Sequence, residues 1–325
     1  MKITIYLGSR CNLNCAYCHR EADDVEPVVS QKLLDLIGDG ENTVVRFMGG
    51  EPMLYMDAIK QIVAAAPKAD FMITTNGKDL EPHLPFLAEH NFYITVSYDG
   101  AGEQESLRGY DPFTRLLNYP RLGVSCTIYH GNADLQKIMR RFAEKEKIIG
   151  RPISFYPHII HVTGEHNARF GLTKEDCDGF MAQLKEGVGG YMDGVAIYGV
   201  ENIKFRPIFA WLVRRYNQPY QYGETYCVHR DLKKVDAAGN QYTCLYVRQT
   251  PLSENWQKEQ ADILDRISPA CRECPVYGMC GGACIVSKRR DIECYYYKNL
   301  FTWFKAAYER FLKEVPHAAK SLHIS

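Results

Sequence analysis

No apolar run in this chain approaches the roughly 20 residues that a bilayer-spanning helix needs. The opening "MKITIYLGSRC" offers too short an apolar stretch for a signal peptide, and a cysteine motif follows at once. The expectation is a cytoplasmic protein with no membrane partner. A charge excess is also missing, since 39 Lys and Arg balance 39 Asp and Glu. Nucleic-acid binding normally leaves a basic surplus, so that partner is not expected. Repeats and low-complexity stretches are absent. With 325 residues, 46% hydrophobic and 24% charged, the chain reads as globular, with one large domain or a large and a small one.

Cysteine is what the chain has in plenty. Twelve cysteines in a reducing compartment argue for metal ligands or catalytic thiols rather than a disulfide framework. Cys11, Cys15 and Cys18 lie together at C-x3-C-x2-C spacing. Seven more lie between 227 and 294. Cys126 and Cys177 stand alone.

The first half alternates between strand and helix signals. β-Branched and aromatic runs predict strands at 2–7, 43–48, 71–75, 92–97, 124–129 and 153–160. A helix is expected near 30–37, capped by Ser30 and closed by Gly38, and another carries Met56, Ile59, Ile62 and Val63. Further helices are expected at 133–146, 173–186 and 205–216, and from 298 with an apolar face that suits core packing. Six β/α units predict an α/β fold, a partial (β/α)6 TIM-like barrel with its chemistry at the C-terminal strand ends. Those ends carry the three cysteines, "GGEP" (49–52), "TTNG" (74–77) and "SYDG" (97–100). The expected organisation is a barrel over 1–165, a helical bridge over 166–220, a cysteine-rich unit over 221–300 and a C-terminal helix over 301–325.

Thiolates select zinc, copper(I) or iron–sulfur clusters, and structural zinc usually takes four closed ligands. Three close cysteines at a barrel rim suit a [4Fe–4S] cluster with one iron left open. Here the sequence resembles the radical S-adenosylmethionine (radical SAM) superfamily, through C-x3-C-x2-C, the aromatic Tyr17 before the last cysteine, and GGEP after the second strand. The resemblance implies that S-adenosylmethionine (SAM) ligates the open iron. It implies that Gly49, Gly50 and Glu51 hold the methionine amino group, and that Tyr17 lies near the adenine. Asn76, Ser97 and Asp99 would face the sulfonium or ribose. Reduction of the cluster would release a 5′-deoxyadenosyl radical that abstracts a substrate hydrogen.

The later cysteines run Cys227, Cys244, then Cys271, Cys274, Cys280 and Cys284 at C-x2-C-x5-C-x3-C, then Cys294. Spacing alone reads as two metal sites, zinc ribbons included. The pattern resembles the SPASM extension of some radical SAM enzymes. That resemblance implies two auxiliary [4Fe–4S] clusters, one on Cys227, Cys244 and Cys284, the other on Cys271, Cys274, Cys280 and Cys294. The first set is one ligand short. The fourth position is expected to be open, to take a substrate thiolate or water, or to be filled by His229, Asp231 or Cys177.

The SPASM resemblance implies a peptide- or protein-modifying enzyme with a precursor peptide as substrate and an external electron donor such as flavodoxin or ferredoxin. A crosslink through C–C, C–O or thioether formation is the leading expectation. Cα epimerisation or sulfatase-maturase-like oxidation are the alternatives, followed by a non-catalytic electron carrier. Leu245 stands where sulfatase maturases carry an aspartate base, which argues against formylglycine formation. The chain opens at strand 1 without a leader-binding domain, so a separate leader-binding protein is a further expected partner. Cys126, Cys177 and His158 are candidate hydrogen donors or bases, with His161 beside them. Buried structural roles are the competing reading for each.

Overall fold

The computed structural model describes residues 1–18, 26–100, 107–114, 119–198, 204–225, 232–242, 244, 265, 267–284 and 286–315. Seven strands make one sheet: β1 (Lys2–Tyr6), β2 (Val44–Met48), β3 (Asp70–Thr75), β4 (Tyr93–Ser97), β5 (Leu122–Ile128), β6 (Ser154–Ile159) and β7 (Leu232–Asp236). Their order is β6-β5-β4-β3-β2-β1-β7, so the sheet is open. The pairings from β7 through to β5 are all parallel. Helices α1 (Gln31–Ile37), α2 (Met56–Ala65), α3 (Leu84–Glu89) and α4 (Leu135–Ile149) lie between strands in the chain. This is the α/β architecture of an incomplete βα barrel. By contact it divides into two compact units. The first comprises Met1–Ser125, Ile148–Gly150 and Cys227–Asp262, and the second Cys126–Lys147, Arg151–Tyr226 and Ile263–Ser325.

In the first unit the period-2 pattern is plain. Val45 and Phe47 on β2, Phe71 and Ile73 on β3, and Ile94 and Val96 on β4 are all buried. Phe47, Phe71 and Phe92 stack on one another, with centroids 5.2 to 6.2 Å apart. α1 begins where Ser30 Oγ accepts the Leu33 N–H at 3.2 Å and stops at Gly38, whose φ is +61°.

β7 was not foreseen, since the sequence predicts only six strands. It pairs with β1 from Lys2↔Leu232 to Tyr6↔Asp236. Its sequence, LKKVD, has one buried residue, Val235. An edge strand needs one packed side only, and lysines shield its open edge from further pairing. A tight turn then returns the chain: Gly239, φ +76°, donates to Asp236 O at 3.0 Å, and a Cβ there would sit 2.9 Å from Leu33 N. Thus part of the segment expected within the cysteine-rich unit belongs to the first compact unit.

The second unit packs α5 (Lys174–Tyr198), α6 (Arg206–Asn217), the short α7 (Tyr277–Cys280) and the long α8 (Arg290–Glu314). Phe209 is its aromatic centre, with Tyr191, Phe304, Tyr308 and Phe311 within 6.3 Å between centroids. The C-terminal helix therefore buries its apolar face in the core, as its sequence predicts. It starts at Arg290 rather than 298, which places Cys294 in its second turn. No helix among the described residues is long and apolar enough to cross a membrane.

Candidate active site

The chain after β1 forms the floor of the site. Gly50 N donates to Gly8 O and Glu51 N to Arg10 O, each at 2.8 Å. Both glycines of GGEP are needed for this approach. A Cβ on Gly49 would lie 2.6 Å from Gly8 O, and one on Gly50 would lie 2.1 Å from Arg10 O. Tyr55 OH accepts the Arg10 N–H at 2.8 Å, and the Arg10 guanidinium lies over the Tyr55 ring. The backbone leading into Cys11 is thereby fixed against the β2 loop.

Glu51 is wholly buried and its carboxylate is used within the protein. Oε1 accepts from Met53 N at 3.0 Å and Thr75 Oγ1 at 2.6 Å, and Oε2 from Asn76 N at 2.7 Å. Burial pushes its pKa up to about 7, although these three donors pull it down. Glu51 thus caps the 3-10 turn Pro52–Tyr55 and ties β2 to the end of β3. Asn76 continues outward. Its Nδ2 donates to Asn12 Oδ1 at 2.7 Å and to Cys11 Sγ at 3.7 Å, while Asn12 Nδ2 donates to Asp79 Oδ2 at 2.6 Å.

On the other side of the cysteine loop, Tyr17, Asp99 and Arg108 close a buried network. Arg108 Nε donates to Asp99 Oδ2 at 2.7 Å, and Asp99 also accepts from Tyr17 OH. The Arg108 guanidinium sits 5.5 Å from the Tyr17 ring centroid and donates from Nη1 to Cys15 Sγ at 3.8 Å. Burial alone would lower the Arg108 pKa, but Asp99, Tyr17 and Cys15 more than offset it, so the pKa stands well above its ordinary value. The Cys15 thiol is pushed up by burial and pulled down by Arg108, while Cys18, Asp99 and Cys11 raise it further. Arg108 was missed from sequence. It lies outside any motif, nine residues beyond Asp99, and only the fold brings it back to Cys15. Ser97, half-buried at the end of β4, pairs in register with Ser125.

In the second unit, Cys271, Cys274, Cys280 and Cys294 converge. Burial raises the Cys271 pKa, with Cys294 and Cys274 adding to the rise. Burial takes Cys280 up to about 11, opposed by backbone N–H groups of Ala283 and Gly282, with Cys294 and Cys271 adding to it. The loop reaches around this sulfur through Gly281, Gly282 and Ala283, all left-handed at φ 68°, 85° and 60°. Cys284 follows, with its N–H on Glu293 Oε2 at 3.0 Å. Cys244 is half-buried in the first unit. Cys227, His229, Asp231 and Leu245 lie outside the described residues.

Of the isolated candidates the two cysteines are buried, whereas His158 is exposed and His161 half-buried. Cys126 on β5 and Cys177 on α5 are fully buried, and burial followed by Asp176 and Asp178 takes Cys177 up to about 12. His158 Nε2 lies 3.2 Å from Thr127 Oγ1. His161 Nδ1 lies 2.8 Å from Glu293 Oε1.

The donor set at Cys11, Cys15 and Cys18 fits an iron–sulfur cluster. Three soft ligands share one pinned loop, and two of them accept N–H groups from Asn76 and Arg108, the kind of hydrogen bond that tunes cluster sulfur. A GTP 3′,8-cyclase of Chlorobaculum tepidum is 35% identical over 183 residues, which is 51% of this chain and 50% of that protein. A probable GTP 3′,8-cyclase of Methanothermobacter thermautotrophicus is 32% identical over 108 residues, covering 30% and 35%. The chain thus spans half or less of the length of these curated relatives. A solved structure described as native anSMEcpe with bound AdoMet and Kp18Cys peptide shares the fold, with a TM-score of 0.69 over 96% of this chain and 99% of that one, at 19% identity. Residues 5–149, which hold the cysteine loop, GGEP and the Tyr17–Asp99 contact, match the Radical SAM superfamily, and the chain therefore carries a radical SAM domain.

Proposed function

We propose that this protein is a radical SAM enzyme of the SPASM type that modifies a ribosomally made peptide, with side-chain crosslinking as the leading reaction. The observation that carries the peptide reading is the fold likeness over 96% of this chain to a protein solved with AdoMet and a peptide. When bound, the cluster and SAM supply a 5′-deoxyadenosyl radical that takes a hydrogen atom from substrate. The chain's own residues position these groups. Cys11, Cys15 and Cys18 are the cluster ligands. The backbone of Gly49 and Gly50 faces the methionine end, and the Glu51 carboxylate ties the turn after them to the end of β3. Tyr17, held by Asp99 and Arg108, shapes the nucleoside side, with Asn76 and Ser97 at neighbouring strand ends.

A crosslink removes two hydrogens from the peptide. One leaves as the abstracted atom, and the other as a proton and an electron. The electron needs an acceptor, and the converging thiols Cys271, Cys274, Cys280 and Cys294 support an auxiliary cluster in that role. A one-electron donor of the flavodoxin or ferredoxin type starts each turnover. No disulfide joins the described cysteines, which leaves their thiols available as metal ligands.

The sequence relatives favour a second reading, a GTP-cyclising enzyme. Anaerobic loading with iron and sulfide, followed by SAM and reductant, tests both. The peptide reading expects about twelve irons per chain, four per cluster. It also expects deoxyadenosine formation and a loss of two hydrogens from a short peptide encoded beside this gene. Conversion of GTP without peptide modification would overturn it in favour of the cyclase.

A further inference from the structure

Glu293 stands between two groups that are far apart in the sequence. It is 2% exposed, on α8 one residue before Cys294. One carboxylate oxygen lies 2.8 Å from His161 Nδ1, just beyond β6, and the other accepts the Cys284 backbone N–H at 3.0 Å. One ring nitrogen of His161, the Cys284 Sγ and one Glu293 carboxylate oxygen lie within 4.8 Å of one another. A buried carboxylate that engages one imidazole nitrogen fixes the ring and leaves the other nitrogen to act as a ligand, the usual support for metal-bound histidine.

The backbone adds a second observation. The chain enters Cys284 through three consecutive left-handed residues, the last of them Ala283 at φ 60°. Left-handed backbone crowds the alanine Cβ against the carbonyl, and such strain collects at functional sites. The strained turn delivers Cys284 beside an imidazole instead of relaxing away from it. His161 is about one-third exposed, so the imidazole is accessible.

We propose that His161 ligates the metal centre held by Cys284, with Glu293 as the residue that positions both. This rests on the reading above that Cys284 is an iron–sulfur ligand. A neutral imidazole in place of a thiolate makes the centre one charge less negative and raises its reduction potential, as histidine ligation does in other iron–sulfur centres. The auxiliary centre then becomes a better acceptor for the electron that leaves the substrate.

The test uses the full chain, labelled with 15N-histidine, loaded anaerobically with iron and sulfide, reduced, and examined by pulsed EPR. The expected result is a strongly coupled nitrogen that changes with the histidine label and disappears in His161→Gln. In Cys284→Ala, about four irons per chain should be lost. Unchanged iron in Cys284→Ala would overturn the metal reading of that cysteine and the inference with it. Iron loss in Cys284→Ala with no labelled coupling in the wild type would overturn the inference alone, as would a coupling that persists in His161→Gln. Should His161→Gln fail to fold, His161→Gly supplied with 15N-imidazole decides the matter: the coupling returns from the added ligand, or its absence counts against ligation.

Discussion

Asp99 and Arg108 form a buried ion pair, with Nε 2.7 Å from Oδ2 and Asp99 fully excluded from solvent. Arg108 reaches onward to Tyr17 and to Cys15 Sγ, so the pair links the end of β4 to the cysteine loop. Removing one partner of such a pair strands a charge. Arg108→Ala is expected to destabilise the protein by about 3–5 kcal/mol. Arg108→Lys keeps the charge but loses the planar fork that spans Asp99, Tyr17 and Cys15, and should also lower iron retention at the first site. The double variant Asp99→Asn/Arg108→Ala should cost less than the sum of the singles. Anaerobic urea unfolding and iron counts check all three, and strict additivity would show that the pair is uncoupled.

Glu51 gives a pH signature. Its ordinary carboxyl value is near 4.5 and burial takes it to about 7. The folded state therefore binds the proton more tightly than the unfolded state. Its stabilising effect is fully present below about pH 4.5 and is lost as pH rises through 7. The span corresponds to a loss on the order of 3 kcal/mol. In Glu51→Gln an amide N–H must face Met53 N or Asn76 N, so the variant is less stable by roughly 1–3 kcal/mol at low pH. That penalty should shrink between pH 5 and pH 8, because only the wild type acquires a buried charge. A penalty that grows with pH would contradict the burial argument.

The GGEP glycines answer to sterics. A Cβ on Gly50 would overlap Arg10 O and Ser9 O at 2.1 and 2.4 Å, both backbone atoms that cannot swing away. Gly50→Ala should displace the loop before Cys11 and abolish SAM binding measured by calorimetry, with a stability loss of about 1–3 kcal/mol or more. Gly109→Ala is the comparison. It has open space around it and only a φ of +69° to oppose, so it should cost about 1–2 kcal/mol and leave SAM binding intact.

Much of this was legible in advance, for local reasons. The Ser30 cap, the Gly38 stop and the alternating burial of β2, β3 and β4 follow from neighbouring residues, and so does the cysteine spacing. What escaped depends on distant partners. β7 carries two lysines and becomes a strand because β1 offers it an edge. α3 is only six residues long with Pro85 in its first turn, too short for a helical period to show in the sequence. Glu51 reads in sequence as a partner for an ammonium, yet its three donors come from Met53 and from Thr75 and Asn76 on another strand. Arg108 and Glu293 sit outside any motif and gain their roles only through contacts 91 and 132 residues away in sequence.

The cysteines themselves should separate by chemistry. Cys177 is fully buried with its pKa at about 12, so at pH 8 almost none of it is thiolate. In the metal-free chain it should resist iodoacetamide, while Cys294, which is exposed, should react readily. Cys177→Ala removes a buried sulfur and should reduce stability modestly without changing iron content. Cys280→Ala should remove about four irons per chain, because its thiol lies close enough to Cys271 and Cys294 to feel their charge. Mass spectrometry of alkylated peptides and iron analysis read both outcomes. Iron lost from Cys177→Ala but not from Cys280→Ala would reverse the assignment of structural and metal-binding thiols.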